Sequence, residues 1–288
     1  MINSLFSQLF RTFALQNRRE MAKRILFINQ ETIPFVPETE LAVMGKIVPQ
    51  AIQERGCEIR TFMPKWGTIN ERRGQLHEVQ RLSGMNLIIN ETDHPLVIKV
   101  ATIVGTRVQV YFIDNDDYFS KRQMLMDTNG EDYPDNGERT IFFARGVLEA
   151  VNKQRWAPDI IHCQGWMSAV IPFYIKTAYK DEPWFSNTKV VTSLFTKHLD
   201  KDLGLSFKEY VEYKDAKASI LSKYGENFNF EQLGKLAIDY SDGIIEADAE
   251  INQELLDYAA AQNKPLLKFP GEDFGDAYMN FYEQLYQE

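Results

Sequence analysis

The chain has 288 residues, 44% of them apolar and 25% charged, enough for one large α/β domain or two small ones with a sizeable core. Its 32 basic and 41 acidic residues leave a formal charge of −9, which argues against the basic footprint of a nucleic-acid binder. The two cysteines, Cys57 and Cys163, lack CxxC or zinc-ligand spacing and read as buried reduced thiols, a usage that suits the cytoplasm.

Residues 1–20 are largely apolar, hold Arg11, Arg18 and Arg19, and have no acid before Glu20. A signal peptide would place its charge before the apolar run and a small-residue cleavage site after it, and neither is present. The segment reads as an N-terminal extension, disordered or loosely helical, ahead of a single domain over 21–288. The alternative is an amphipathic docking helix. No apolar run approaches the roughly 20 residues of a membrane span.

"RILFI" (24–28) has the all-apolar character of a buried strand, and 38–55 reads as a helix. "CEIRTFM" (57–63) is a second strand. "HEVQRL", "NLIIN", "LVIKVATIV" and "RVQVYFI" follow closely with turn signals between them, which predicts a β-hairpin-rich insertion. "DNDDYFSKR" (114–122) reads as a solvated loop; cation binding through its oxygens is the alternative, without EF-hand spacing. Apolar residues at 141, 142, 143, 147, 148 and 151 give 137–154 one helical face. "PDIIHC" (158–163) and "TKVVTSLF" (188–195) are strands on either side of a helix over 166–179. A polar excursion over 196–229 has the length of a functional or mobile loop. Helix 230–240, strand 243–247, helix 249–262, strand 265–269 and an aromatic-rich helix over 272–287 complete the chain. This alternation predicts an α/β fold with a Rossmann-like, doubly wound, mostly parallel sheet.

Four stretches carry a resemblance. "KRILFINQETIPFVPETELAVMGK" and its continuation to "WGTI" follow the pattern "KILFVASEVAPFAKTGGLGD…YGTI" without a gap. "VQVYFIDNDDYFSKR", "GEDYPDNGERTIFFARGVLEAV" and "APDIIHCQGWMSAVIPFYIK" follow "vyfid…yfdR", "gdYpDN.eRF.fFsrA.lea" and "PDivHaHDWhtaLiP.yLk". In this order, from about 23 to 195, they resemble the N-terminal half of bacterial glycogen and starch synthases. The resemblance implies one Rossmann-like half of a GT-B architecture. It further implies a glucosyltransferase that uses ADP-glucose to extend an α-1,4-glucan, with acceptor-side loops in this half and most of the ADP held by the other. Residue by residue, the family's diphosphate-contacting Lys stands at Pro37, beside Glu38, and its two phosphate-loop glycines stand at Thr39 and Glu40. The His and Asp of its "HDW" stand at Gln164 and Gly165. The sugar-pocket His of its "TIHN" stands at Leu194.

Proline has no N–H and glutamate repels phosphate. The loop from Glu31 to Lys46 therefore reads as a dismantled donor site, with Thr39 free to cap a helix and Glu38 and Glu40 favoured at its N-terminus. His162, Gln164 and Trp166 follow one another at the C-terminal end of a strand, where open α/β sheets bind ligands, and form a candidate sugar cluster. A satisfied core histidine beside a packing tryptophan is the plain alternative. Asp135, Asn136 and Arg139 are candidate glucan contacts, with helix capping as the plain alternative. No catalytic residue, metal or cofactor is assigned: there is no Walker A motif and no nucleophile elbow. The expectation is a non-catalytic module that binds a glucan or sugar, or a protein partner at the face where the second half would dock. The rival is an active glucosyltransferase completed by a second chain. The helix over 272–287 is expected to cap the docking face.

Overall fold

A computed structural model describes residues 23–196, 199–271 and 274–287 of the chain. The expected extension over 1–20 lies outside the described residues.

The apolar runs form the strands. β1 (Arg24–Asn29) is buried from Ile25 onward and lies between β2 (Glu58–Pro64) and β7 (Ile160–Gln164), parallel to both. β6 (Gln109–Asp114) pairs in parallel with β2. Beyond β7 the sheet continues in parallel through β8 (Lys189–Leu194), β9 (Gly243–Glu246) and β10 (Leu266–Leu267). β5 (Thr92–Thr102) is antiparallel to β6, and β3 (His77–Glu78) and β4 (Met85–Ile89) are antiparallel to β5. The order β10-β9-β8-β7-β1-β2-β6-β5-β3 is the expected doubly wound, mostly parallel sheet. One correction concerns the hairpin-rich insertion: its last strand, β6, belongs to the parallel sheet, because its backbone pairs with β2 rather than only with its hairpin neighbour.

α1 (Glu40–Glu54) starts where Thr39 accepts the Ala42 N–H, a cap worth about 1 kcal/mol. A single helical turn, α2 (Glu71–Gly74), follows β2. α3 (Asn136–Gln154), α4 (Ile171–Lys176) and α6 (Phe230–Tyr240) bury one face of the sheet with Leu26 and Ile28 of β1. α1 and α8 (Phe274–Gln284) bury the other with Ile25 and Phe27. The helix expected over 166–179 is split into a 3-10 turn, Trp166–Ser168, and α4, with Pro172 in the first turn of α4, where its missing N–H costs nothing. The excursion over 196–229 is packed rather than open. It contains α5 (Phe207–Tyr210) and a 3-10 segment, Ala218–Tyr224, and its Phe207, Leu221 and Phe228 are buried. The Asp132 carboxylate accepts the N–H groups of Asp200 and Lys201 and pins its start. α7 (Gln253–Ala261) packs on α6 and is capped by Asn252.

α8 does not project into solvent. Tyr278, Phe281 and Tyr282 are buried on β1, β7 and β8. The helix therefore packs on the body of the domain, over one face of the sheet. It also corrects the reading of His162. The two-residue alternation of β7 turns this ring under α8, fully buried. Nδ1 is 2.6 Å from the Tyr282 hydroxyl and Nε2 is 2.6 Å from Ser193 Oγ. Both nitrogens are engaged inside the protein, so the ring is not offered to a ligand.

Burial pulls the His162 pKa down from 6.5 to about 3. Between these values the unfolded chain carries a proton that the fold lacks, so stability falls as pH drops through this window, by up to about 1.4 kcal/mol per pH unit. An H162N variant is expected to lose this part of the slope. Urea denaturation of both proteins at pH 6.5 and 5 measures it; equal pH slopes would show that the ring is protonated in the fold.

Candidate functional site

The strand order reverses direction at β1, with β2 and β6 to one side and β7 to β10 to the other. The crevice beyond the C-terminal ends of β1 and β7 is therefore the topological switch point, the usual ligand site of such a sheet. Gln30 fills it. Its N–H donates to Gln164 O, its carbonyl accepts the Trp66 indole N–H, and its side-chain oxygen accepts the Met167 N–H. Its side-chain amide donates to Glu31.

The Glu31 carboxylate is nearly fully buried under the loop and also accepts the Thr39 hydroxyl at 2.7 Å. The loop thus encloses an anion of its own at the start of α1. Pro37, Glu38, Thr39 and Glu40 are exposed above it.

What remains of the crevice is a cavity of about 40 Å³, with room for about three waters. Typical small-molecule sites occupy about 300–1,000 Å³. Its walls are largely apolar: Leu41, Leu194, Phe195, Phe230, Leu233 and Leu255, with Trp166 among them. No lysine, arginine or histidine lines it among the described residues. Leu41, Phe195 and Ala247 form a small apolar cluster beside it. Leu194 stands in this wall. Gly165 has φ +86°, a conformation that favours glycine, and a Cβ there would lie 2.6 Å from Gln30 Cβ. Of the candidate sugar cluster, Trp166 lines the cavity, and its indole N–H has no partner among the described residues. Gln164 is fully buried, with neither side-chain amide atom paired. His162 faces the opposite way. The structure therefore does not bring the three together.

A second concavity lies beyond β2 and β6. This groove of about 350 Å³ is polar, lined by Gly67 and Thr68 after β2, by Ser120, Lys121, Arg122 and Gln123, and by Thr128 and Tyr133. Gly67 lets the strands of loop meet: a Cβ would stand 2.2 Å from Arg122 O.

Arg139 holds the floor. Its side chain is fully buried, with Nε donating to Tyr118 O at 2.8 Å, Nη2 to Met124 O at 2.6 Å and Nη1 to Asn136 Oδ1 at 2.8 Å. It lies over the rings of Trp66, Phe119 and Tyr133. Burial lowers its pKa to about 10, and it remains charged at neutral pH. Asn136 donates to Leu125 O.

Arg139 and Asn136 therefore position the groove-lining loop and do not contact the groove. Asp135 precedes α3 without capping it. One of its oxygens pairs with Arg122 and the other, buried, has no partner among the described residues. Arg122 in turn lies 4.6 Å from the Tyr133 ring centre. Sequence reasoning missed Gln30, Thr68 and Tyr133 as site residues. Two signals marked the groove: "WGTI" and "YFSKR" both match the resembled pattern.

A family profile described as the starch synthase catalytic domain matches residues 24–268. A glycogen synthase of Chlorobium luteolum is 36% identical over 213 residues, covering 73% of this chain and 43% of that protein. One of Chlorobium limicola is 36% identical over 219 residues, covering 74% and 44%. The structure is similar to the catalytic domain of starch synthase IV from Arabidopsis thaliana, solved with ADP and acarbose bound. The TM-score is 0.71 at 16% identity, over 86% of this chain and 51% of that one, a likeness of fold. The chain spans less than half the length of these two glycogen synthases.

Restoring Asp at Gly165 is expected to destabilise the fold by about 2 kcal/mol or more, from the strained φ and the contact with Gln30. In a Q30S background the contact with Gln30 is absent, so G165D is expected to cost less there than in the wild-type background. Chemical denaturation of both variants measures it, and a G165D protein as stable as wild type contradicts the geometry.

Proposed function

The chain belongs to the starch synthase catalytic domain family, and from that premise we propose that this chain by itself binds an α-glucan without transferring glucose. One observation carries the reading. The switch-point crevice is closed by apolar side chains and Gln30, and no cation lines it among the described residues. Departure of a nucleoside diphosphate from a sugar requires cationic or N–H groups aimed at the leaving oxygens. Here Pro37 supplies neither, and Glu31 places a carboxylate under the loop.

The groove supports the binding half of the proposal. It is open, and its hydroxyl, amide and guanidinium groups around one aromatic ring suit a neutral polyhydroxy chain. The related starch synthase IV domain was solved with acarbose.

A second reading, an active glucosyltransferase completed by a second chain, is favoured by the lengths: the match covers 43% of the Chlorobium luteolum enzyme. The same site chemistry serves both readings, since an acceptor groove is needed in each.

Purified chain incubated with ADP-glucose and maltoheptaose is expected to give no glucan extension. Maltoheptaose at about 100 times its Kd should stabilise the fold by about 2.7 kcal/mol, seen as a higher Tm, while ADP-glucose should not. Tyr133→Ala is expected to abolish the maltoheptaose effect. Glucan extension by the chain alone overturns the non-catalytic reading, and a Tm shift with ADP-glucose alone overturns the closed crevice.

A further inference from the structure

The groove loop hangs from a π-helical turn, Asp116–Ser120, whose neighbours include a buried histidine with one nitrogen left over. His94 of β5 lies 3.0 Å, through Nε2, from the Tyr118 hydroxyl. That hydroxyl has a single proton, which it donates to Glu138 Oε2 of α3 at 2.8 Å. A carboxylate can only accept, so the Tyr118 oxygen must accept from His94, and Nε2 carries the ring proton. Nδ1 is then a bare lone pair. It is buried, it has no hydrogen-bond partner among the described residues, and it stands 3.8 Å from Asp117 Oδ2.

Two acceptors face each other across that gap, and neutral His94 cannot bridge them. A proton on Nδ1 can. It turns the lone pair into a donor aimed at a carboxylate, the stronger class of hydrogen bond. It disturbs nothing else, because Nε2 already donates to Tyr118. The other groups around the ring leave this relation intact. Glu138 is engaged by Tyr118, Phe142 packs against the ring, and Arg145 of α3 donates to Ile88 O of β4. Asp114, at the end of β6, is held by Lys99 and Ser120. Asp93, next to His94 on β5, is exposed.

We propose that His94 and Asp117 form a proton-operated clasp on the groove: protonation of His94 draws Asp117 onto Nδ1 and fixes the turn that carries Ser120, Lys121 and Arg122. The proposal rests on the glucan reading of the groove and adds its regulation by pH. The clasp is closed when Nδ1 of His94 carries a proton and open when it does not. The turn is fixed at its inner side whatever the pH, by Arg139 on Tyr118 O and by Asn115, which accepts the Asp117 and Tyr118 N–H groups. The outer side, with the exposed Asp117 side chain, is what the proton adds.

Two variants at Asp117 separate the states. In D117N the new amide can donate to the Nδ1 lone pair, which closes the clasp without a proton. In D117A nothing can close it. Amide exchange protection factors of Phe119 and Ser120, whose N–H groups donate to Asn115 O, report the turn directly without sugar. In wild type, protection at pH 5.5 is expected to exceed that at pH 7.5 by about two- to fivefold, the worth of a partly exposed ion pair. D117N should show the higher protection at both pH values and D117A the lower at both. Maltoheptaose affinity, measured by calorimetry at the same two pH values, should follow the same order. Equal wild-type protection at the two pH values, or a pH effect retained in D117A, overturns the clasp. The protection pattern without any maltoheptaose binding leaves the clasp in place and overturns the glucan reading instead.

Discussion

Gln30 ties the centre of the sheet together. It is the first residue past β1, and its four polar groups meet four separate segments: Gln164 at the end of β7, Trp66 after β2, Met167 in the turn beyond, and Glu31 in its own loop. A buried amide must have its partners, or each unmet group costs about 1–3 kcal/mol. Once Gln30 is met on all sides, the ends of the three central strands are fixed relative to one another. The same side chain occupies the space in which an open α/β sheet would receive a ligand. Gly165 follows from it, since no side chain fits against Gln30 at that position. The apolar wall of Leu41, Leu194 and Phe195 completes what the amide begins.

The larger concavity lies on the far side of β2. There the organising group is the guanidinium of Arg139, charged yet without exposure to water. A buried charge is tolerated only when every donor finds an acceptor, and here backbone carbonyls of the loop supply most of them. The loop therefore cannot take another path without stranding the charge. An arginine that looks like a ligand-binding residue in the sequence shapes the wall of a groove, and Arg122, Gln123 and Tyr133 line that groove. Trp66, Phe119 and Tyr133 around the guanidinium make the same point with aromatic rings: they serve the cation first.

The fold was largely legible in advance. The strand "RILFI" is largely apolar because both its faces are buried, and α6 spans the helix expected over 230–240. The site was legible only in part. Trp166 and Thr39 are found where the sequence reading put them, in the crevice wall and at the start of α1. His162 is not, because a strand end looks the same in sequence whichever face its histidine takes, and the face here is decided by a helix that begins more than a hundred residues later. Asn136 and Arg139 were singled out for ligand contact, and in the structure both hold the carbonyls of the loop. Spacing along a chain does not distinguish a side chain that points at a ligand from one that holds the loop which does.

Sequence by itself determined the mostly parallel sheet, the family and the acids and prolines that stand in the loop after β1. These depend on local pattern and residue type, which the chain states directly. Only the tertiary structure decided that the crevice is filled, that His162 is bonded to Tyr282 and Ser193, and that the open groove lies beside Tyr133. Each of these depends on volumes and hydrogen-bond partners contributed by segments far apart in the chain, and such partners exist only once the layers have packed.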